Sequence, residues 1–223
     1  MTRHIHMLWV TCRPDMFVKT HADWINKAEQ PENISTKVAV STDKDKIALK
    51  DFDVLLIKSP HSGVAHPAFV MTTTFNIPNL DDIIILASDD FYPPEKWDSF
   101  VRENVDRRCC LVVNDGVVKP HSEAVTLPIL DGYAFMALNK ILYHHAYRHM
   151  FSDAELYRNC NELGLLKNIR KNSEVVFVHH HYAAKLRKRD EADKRNQKFY
   201  YADRRTFRMR MDKPISYRLR VKK

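Results

Sequence analysis

Ile83-Ile84-Ile85-Leu86-Ala87-Ser88-Asp89-Asp90-Phe91-Tyr92-Pro93-Pro94-Glu95-Lys96-Trp97-Asp98 is the stretch on which the fold turns. It opens with three consecutive isoleucines, and an unbroken apolar run of this kind needs cover on both faces, as central parallel strands have. The run stops at Ser88-Asp89-Asp90, so two adjacent carboxylates stand at the carboxyl edge of the sheet, where α/β folds bind their ligands. Hard oxygen donors suit Mg²⁺ or Mn²⁺, which can bridge a diphosphate. The same pair also reads as a plain cap for a following helix, because Asp favours turns and N-caps.

Working outward, Ile5–Val10, 37–40, 53–57 and 110–113 read as further strands, the last closed by the turn Asn114-Asp115-Gly116. Helices are expected at 15–29, with Pro14 in the first turn, and at 66–75 and 95–104. The break between strand and helix is expected at Ser59-Pro60-His61-Ser62-Gly63. Strands alternating with helices over the first 115 residues indicate an α/β sheet. A long amphipathic helix is expected at 133–150, another at 153–163 with Gly164 after it, and a last strand at 175–178 running into His179-His180-His181.

Composition removes several function classes. The 223 residues include only four glycines, Gly63, Gly116, Gly132 and Gly164, all isolated. Loops that cradle phosphate on backbone amides need closely spaced glycines, which argues against P-loop kinases and dinucleotide-binding enzymes. The four cysteines form neither a CxxC pair nor a disulfide framework. No apolar run approaches the roughly 20 residues of a membrane helix. The N-terminus lacks a signal-peptide pattern, so a cytoplasmic location is expected. Net charge is +8, distributed unevenly: residues 183–223 hold 16 Lys plus Arg against 5 Asp plus Glu, while residues 1–182 carry a net −3.

Residues 83–98 resemble the DXD-type motif of GT-A fold glycosyltransferases, in the variant where an apolar strand ends in Asp-Asp and is followed by Pro-Pro and a Trp. The resemblance implies a Rossmann-like, mixed but mostly parallel sheet flanked by helices, and a donor that is a nucleoside diphosphate sugar, UDP-linked by preference, with Mn²⁺ or Mg²⁺. It assigns Asp89 to the nucleotide or metal and Asp90 to the metal. Val10-Thr11-Cys12-Arg13-Pro14 is similar to the family's first strand and loop, which gives Thr11 and Arg13 nucleotide contacts; Asp43 matches the acidic base-contacting position. Ser152-Asp153-Ala154-Glu155-Leu156-Tyr157-Arg158 with Gly164 resembles the acidic helix-start motif, with Ser152 where Glu is usual. By that match Asp153 is the general base of an inverting transfer, with Glu155 a neighbouring acceptor-site or structural residue; Gly132 and Tyr133 are expected at the acceptor as well. From the residues alone, Ser152 and Glu155 form a capping box, which is compatible with that role.

Alternate residues of a strand share a face, so His179 and His181 project together. The resemblance makes them additional metal or diphosphate ligands; a surface histidine cluster and a zinc site are the other readings. Lys185, Arg187 and Arg189 come next in the chain and are expected to offset diphosphate charge. The chain is thus read as a catalytic domain, 1–182, and a basic C-terminal lid, 183–223, packed on it. Because that segment interleaves its charge with Tyr, Phe and Met, it suits a phosphate backbone with exposed bases. The acceptor expected on this ground is a hydroxymethylpyrimidine in DNA, as in viral DNA hypermodification, with the base flipped to reach Asp153. A surface glycan or lipid-linked saccharide is the alternative acceptor. A non-enzymatic nucleic-acid-binding protein is the alternative class.

Overall fold

The computed structural model describes residues 2–59, 63–182 and 185–220, so part of the break expected at 59–63 lies outside the described residues. Its strands in chain order are β1 (Ile5–Val10), β2 (Ile34–Val40), β3 (Val54–Leu56), β4 (Ile83–Ala87), β5 (Phe91–Tyr92), β6 (Cys110–Val112), β7 (Ile129–Asp131), β8 (Leu166–Asn168) and β9 (Val178–His179). Among the described residues these form a seven-stranded sheet of order β3-β2-β1-β4-β7-β6-β8 and a two-stranded sheet of β5 with β9. β1, β2, β3 and β4 are mutually parallel, as are β6 and β8. Within the seven-stranded sheet, β7 runs against its neighbours, β4 and β6. The protein therefore has a mixed, mostly parallel α/β sheet, as the sequence indicates.

All five residues of β4 are buried, and the period-2 alternation of the central strands divides the core in two. Leu8, Ala39, Ile84 and Leu86 face one layer, packing with Met71 of α3 (Ala65–Thr74), Phe135 of α5 (Gly132–Ala137) and Leu156 of α6 (Ser152–Glu162). Met7, Trp9, Val38, Ile83 and Ile85 face the other, against Phe17 and Trp24 of α1 (Pro14–Asn26) and Trp97 and Val101 of α4 (Trp97–Asn104).

The Pro-Pro-x-x-Trp run at 93–97 fixes the path of the chain beyond β4. Trp97 Nε1 donates to the Trp24 carbonyl at 2.7 Å, Trp24 Nε1 donates to the Phe91 carbonyl at 2.7 Å, and the Thr20 hydroxyl donates to the Asp89 carbonyl at 2.9 Å. The Asp89–Phe91 backbone is thereby pinned to α1 by side chains whose polar atoms would otherwise be buried unpaired. Asp98 serves the same region structurally, accepting from the Glu29 and Gln30 amides and from Arg102.

The expected helix over 133–150 is not formed. α5 ends at Ala137, and Asn139 and Lys140 take left-handed conformations at φ 51° and 63°. Asn is among the residues that enter this region readily, which ends a helix. Beyond it Ile141, Leu142, Tyr143 and Tyr147 are each buried from irregular chain, so an apolar pattern that reads as a helix face fills the core without one. The last expected strand is displaced as well: Val176 makes a single bridge with Asn114, and the paired residues are Val178 and His179.

The C-terminal segment packs back on the sheet domain as α7 (Glu191–Gln197), α8 (Tyr200–Met211) and α9 (Ile215–Arg218). Two of its arginines are buried in ion pairs, Arg210 with Glu155 and Arg218 with Glu162. No helix among the described residues is long and apolar enough to cross a membrane.

Candidate active site

Four parallel strands end at one edge of the sheet, and the residues just past their ends meet. Thr11 and Arg13 after β1, Ser41 and Thr42 after β2, Ser59 after β3 and Ser88-Asp89-Asp90 after β4 line one cavity of about 760 Å³. It is lined as well by Tyr143, by residues 149–153, by Val117, Val118 and Thr126, and by His179, His181 and residues of α7. The volume lies within the range of small-molecule sites.

Asp89 is 1% exposed and fully engaged: Oδ2 accepts from the Thr11 hydroxyl at 2.5 Å and from Arg13 Nε at 3.3 Å, and Oδ1 from Arg13 Nη2 at 2.5 Å. Burial raises its carboxyl above the ordinary range, against the pull of the guanidinium. Asp90 is arranged differently. Its Oδ1 accepts from the Ser88 hydroxyl at 2.6 Å, while Oδ2 faces His179 Nε2 at 3.6 Å, Arg187 at 3.7 Å and Arg13 at 3.8 Å. Burial acts to raise it, but His179, Ser88 and Arg13 together hold it well below the usual carboxylate range. Asp89 thus has close protein donors on both oxygens, whereas the neighbours of Asp90 Oδ2 stand 3.6 to 3.8 Å away.

His179 stacks on Phe91 at 4.2 Å and has His181 5.0 Å away on the cavity side, whereas His180 lies against Tyr92. Among the described residues no three His, Cys, Asp or Glu side chains form a closed cage for a metal. Asp90 Oδ2 with His179 Nε2 fits an open site instead, one hard oxygen and one imidazole, with the remaining positions left to a ligand.

Asp153, which lines the same cavity, occupies the first turn of α6. Burial raises its carboxyl above the ordinary range, opposed by backbone amides at the helix start and by the charges of Arg170 and His179. A raised carboxylate and a cation-compensated carboxylate pair lining one cavity can together accept a proton and hold an anion. The wall beside it is built by two buried polar groups. Arg170 donates to the carbonyls of Val113, Ser122 and Ala124, and Asp115 accepts from the Val117 and Val118 amides and from the Thr126 hydroxyl.

Of the residues singled out in the sequence, Thr11, Arg13, Asp89, Asp90, Asp153, His179 and His181 line this cavity, and Arg187 reaches Asp90 from outside it. Others do not reach it. Asp43 starts α2 (Asp43–Ala48) on the exposed side, and it is Asp45, two residues on and hydrogen-bonded to Thr42, that lines the cavity. Gly132 and Tyr133 lie just past β7, whose antiparallel direction carries them to the opposite edge of the sheet. There Gly132 packs against Leu80, where a Cβ would come within 2.7 Å of the carbonyl oxygen, and Tyr133 lies under Arg107. Glu155 is buried behind the wall, accepting from Arg210 at 2.6 and 2.8 Å and from the Tyr147 hydroxyl at 2.6 Å. Lys185 and Arg189 are exposed outside the cavity. His149, Arg195 and Asn196 are lining residues that no motif marks. Burial holds the His149 imidazole down at about 4, so it is neutral near pH 7.

No protein-family model matches the chain, and no curated protein resembles it in sequence. Solved structures do resemble it in fold. TarS of S. aureus, residues 1–349, superposes with a TM-score of 0.59 at 9% identity over 91% of this chain and 73% of that one. A longer TarS structure gives 0.57 at 10% identity over 82% of this chain, which spans only 38% of that molecule. The mannosyltransferase PcManGT of Pyrobaculum calidifontis, solved with GDP-Man and Mn²⁺, gives 0.51 at 11% identity over 78% of this chain and 59% of its own. The mixed seven-stranded sheet of this protein is accordingly the fold of GT-A glycosyltransferases.

Proposed function

We propose that the protein transfers a glycosyl group from a nucleoside diphosphate sugar to an acceptor hydroxyl, with inversion. The observation that carries this reading is that Asp89-Asp90, with Arg13, and Asp153 line one cavity at the carboxyl edge of the sheet. That TarS has been solved with UDP-GlcNAc, and PcManGT with GDP-Man, supports a sugar nucleotide as the ligand.

In this reading the acceptor oxygen forms its bond to the anomeric carbon as the bond to the diphosphate oxygen breaks. The acceptor proton goes to Asp153, and nucleoside diphosphate leaves. A hydroxyl is a poor nucleophile until its proton is being removed, which is the task of a carboxylate whose affinity for protons is already raised. Thr11 and Arg13 orient Asp89 toward the nucleoside end, and Asp45 lies where the base enters. Arg13 meets the growing charge on the departing diphosphate, and Arg187 adds positive charge from behind Asp90. Asp90 and His179 would hold Mn²⁺ or Mg²⁺, which when bound supplies further positive charge to that leaving group.

For the acceptor, the exposed side of α8 carries Tyr201, Arg204, Arg205, Arg208 and Met209. Positive charge interleaved with an aromatic suits a phosphodiester backbone with accessible bases, which supports hydroxymethylated DNA as the acceptor. The test is nucleoside diphosphate release from a panel of UDP- and GDP-sugars with Mn²⁺ or Mg²⁺, run with and without hydroxymethylcytosine DNA. Release dependent on cation and stimulated by the DNA is expected. Silence across the panel, with tight DNA binding, would instead favour a nucleic-acid-binding protein.

A further inference from the structure

The chain that leads into the Asp153 helix has no regular structure of its own. Between the buried Tyr147 and the start of α6 the chain belongs to neither helix nor sheet, yet backbone amides withdrawn from water need acceptors. Three consecutive amides find theirs in one carboxylate: Arg148 N donates to Asp203 Oδ1 at 3.0 Å, and His149 N and Met150 N donate to Oδ2 at 2.9 and 2.8 Å. Asp203 is 2% exposed and belongs to the first turn of α8. Seven residues along the same helix face, Arg210 grips Glu155 of α6 through two bonds, and Glu155 also accepts from Tyr147. The turn is closed from its other side by Gly63, where a Cβ would lie 2.1 Å from the Arg148 carbonyl oxygen, and by Ala65 N, which donates to that oxygen.

The held segment presents its front to the cavity. His149, Met150, Phe151, Ser152 and Asp153 line it, and Phe151 is kept left-handed at φ 66° where the chain enters α6. Asp203 itself does not line the cavity. We infer that Asp203, backed by the Arg210–Glu155 pair, is a positioning residue that sets the 148–153 wall, and with it the Asp153 carboxylate, at the acceptor end of the cavity. The inference deepens the glycosyltransferase reading and rests on it for the meaning of the wall. It gives the inner face of the basic C-terminal segment a task separate from attracting a polyanion.

An ionised carboxylate is acceptor-only and can take all three amides; an amide side chain offers one oxygen and turns an N–H₂ toward donors. Asp203→Asn therefore disturbs the turn while conserving the shape and helical position of the side chain. Three measurements on the full-length chain test the inference: UDP affinity by calorimetry, UDP release from a UDP-sugar the wild type turns over, and amide hydrogen exchange. The expected result is UDP affinity within about twofold of wild type and release lowered about 10- to 100-fold, as small misplacements of reacting groups produce. Exchange should accelerate at 148–153 and stay unchanged at 11–13 and 88–90. Should D203N fold poorly, Glu155→Gln, which weakens the second clamp, is expected to give the same split at smaller size. Release unchanged in a folded variant, affinity falling in step with release, or unaltered exchange at 148–150 would each overturn it. A wild type that binds no nucleotide and releases none defeats the glycosyltransferase reading instead, and the exchange measurement still decides whether Asp203 holds the wall.

Discussion

Arg13 and Asp190, 177 residues apart, are joined by a hydrogen bond of 3.1 Å from Nη1 to Oδ2. The same guanidinium holds Asp89, and Arg187 beside it holds Asp193 at 2.5 Å with Asp190 at 3.6 Å. The α7 end of the C-terminal segment is thus fastened across the cavity by carboxylates that occupy cations a diphosphate would need. Both acids also cap α7, each accepting the other's backbone amide.

Asp190→Asn keeps the cap, since Asn serves an N-cap as well as Asp does, and removes only the charge. Asp190 is partly exposed, so the competing interaction is of the order of 0.5–1 kcal/mol. UDP affinity is expected to rise about two- to fivefold in this variant, measured by calorimetry at constant ionic strength. Weaker binding would mean that Asp190 helps to build the site rather than competing for it.

Asp153 and Asp90 should respond to neutralisation with opposite effects on stability. Burial raises the Asp153 carboxyl, so its folded form binds the proton more tightly than the unfolded chain does, and stability is lost as pH rises through the folded value. At neutral pH D153N should therefore melt above wild type, by roughly 2–4 °C for each kcal/mol regained, while transfer falls about 10²- to 10⁴-fold. The Asp90 carboxyl is depressed, so its contribution is present above the unfolded value and lost as pH falls through the folded one. D90N leaves Arg187 and Arg13 undercompensated and should melt below wild type, with transfer lost as well. Thermal melts at pH 7 decide the pair; an equal fall in both would remove the distinction between a strained base and a paired anchor.

As the proposed base, Asp153 should also set the sign of the pH profile. A base must be deprotonated, so release should increase with pH through a limb lying above the ordinary carboxylate value and then level off. His149, held at about 4, is already neutral above roughly pH 5 and adds no limb near neutrality. A profile that rises on acidification between pH 6 and 7 would require a protonated group in place of the proposed base.

The central half of this architecture is legible in the residues because continuous apolar runs and their polar ends carry it. Ile83–Ala87 is a strand with the expected bounds, and Thr11, Arg13, Asp89 and Asp90 are placed by the rule that parallel strands deliver their next residues to one edge. The errors arise where the determinants are not local. A three-residue strand at Ile129–Asp131 leaves almost no pattern, yet its direction decides that Gly132 and Tyr133 lie at the wrong edge. Ser152 and Glu155 have the spacing of a capping box, but the helix has no side-chain cap and Glu155 is held by a partner 55 residues later. Thr42 and Asp45 do carry a local signal, a Ser/Thr cap with an acid three residues on, and it is Asp45 rather than Asp43 that lines the cavity.

The outer face of α8 is where the acceptor can be tested without touching the cavity. Arg204, Arg205 and Arg208 are exposed, while Asp203 and Arg210 on the inner face hold the wall, so the two roles are separable along one helix. Each phosphate contact contributes about 0.9 to the log–log slope of affinity against salt for duplex DNA. Replacing the three outer arginines by glutamine should flatten that slope by up to about 3 and raise the KM for hydroxymethylated DNA. UDP affinity and the slow release of UDP to water should stay as in wild type, because none of the three lines the cavity. An unchanged salt slope, with DNA-stimulated release intact, would remove α8 from the acceptor surface and with it the main physical ground for DNA over a neutral glycan.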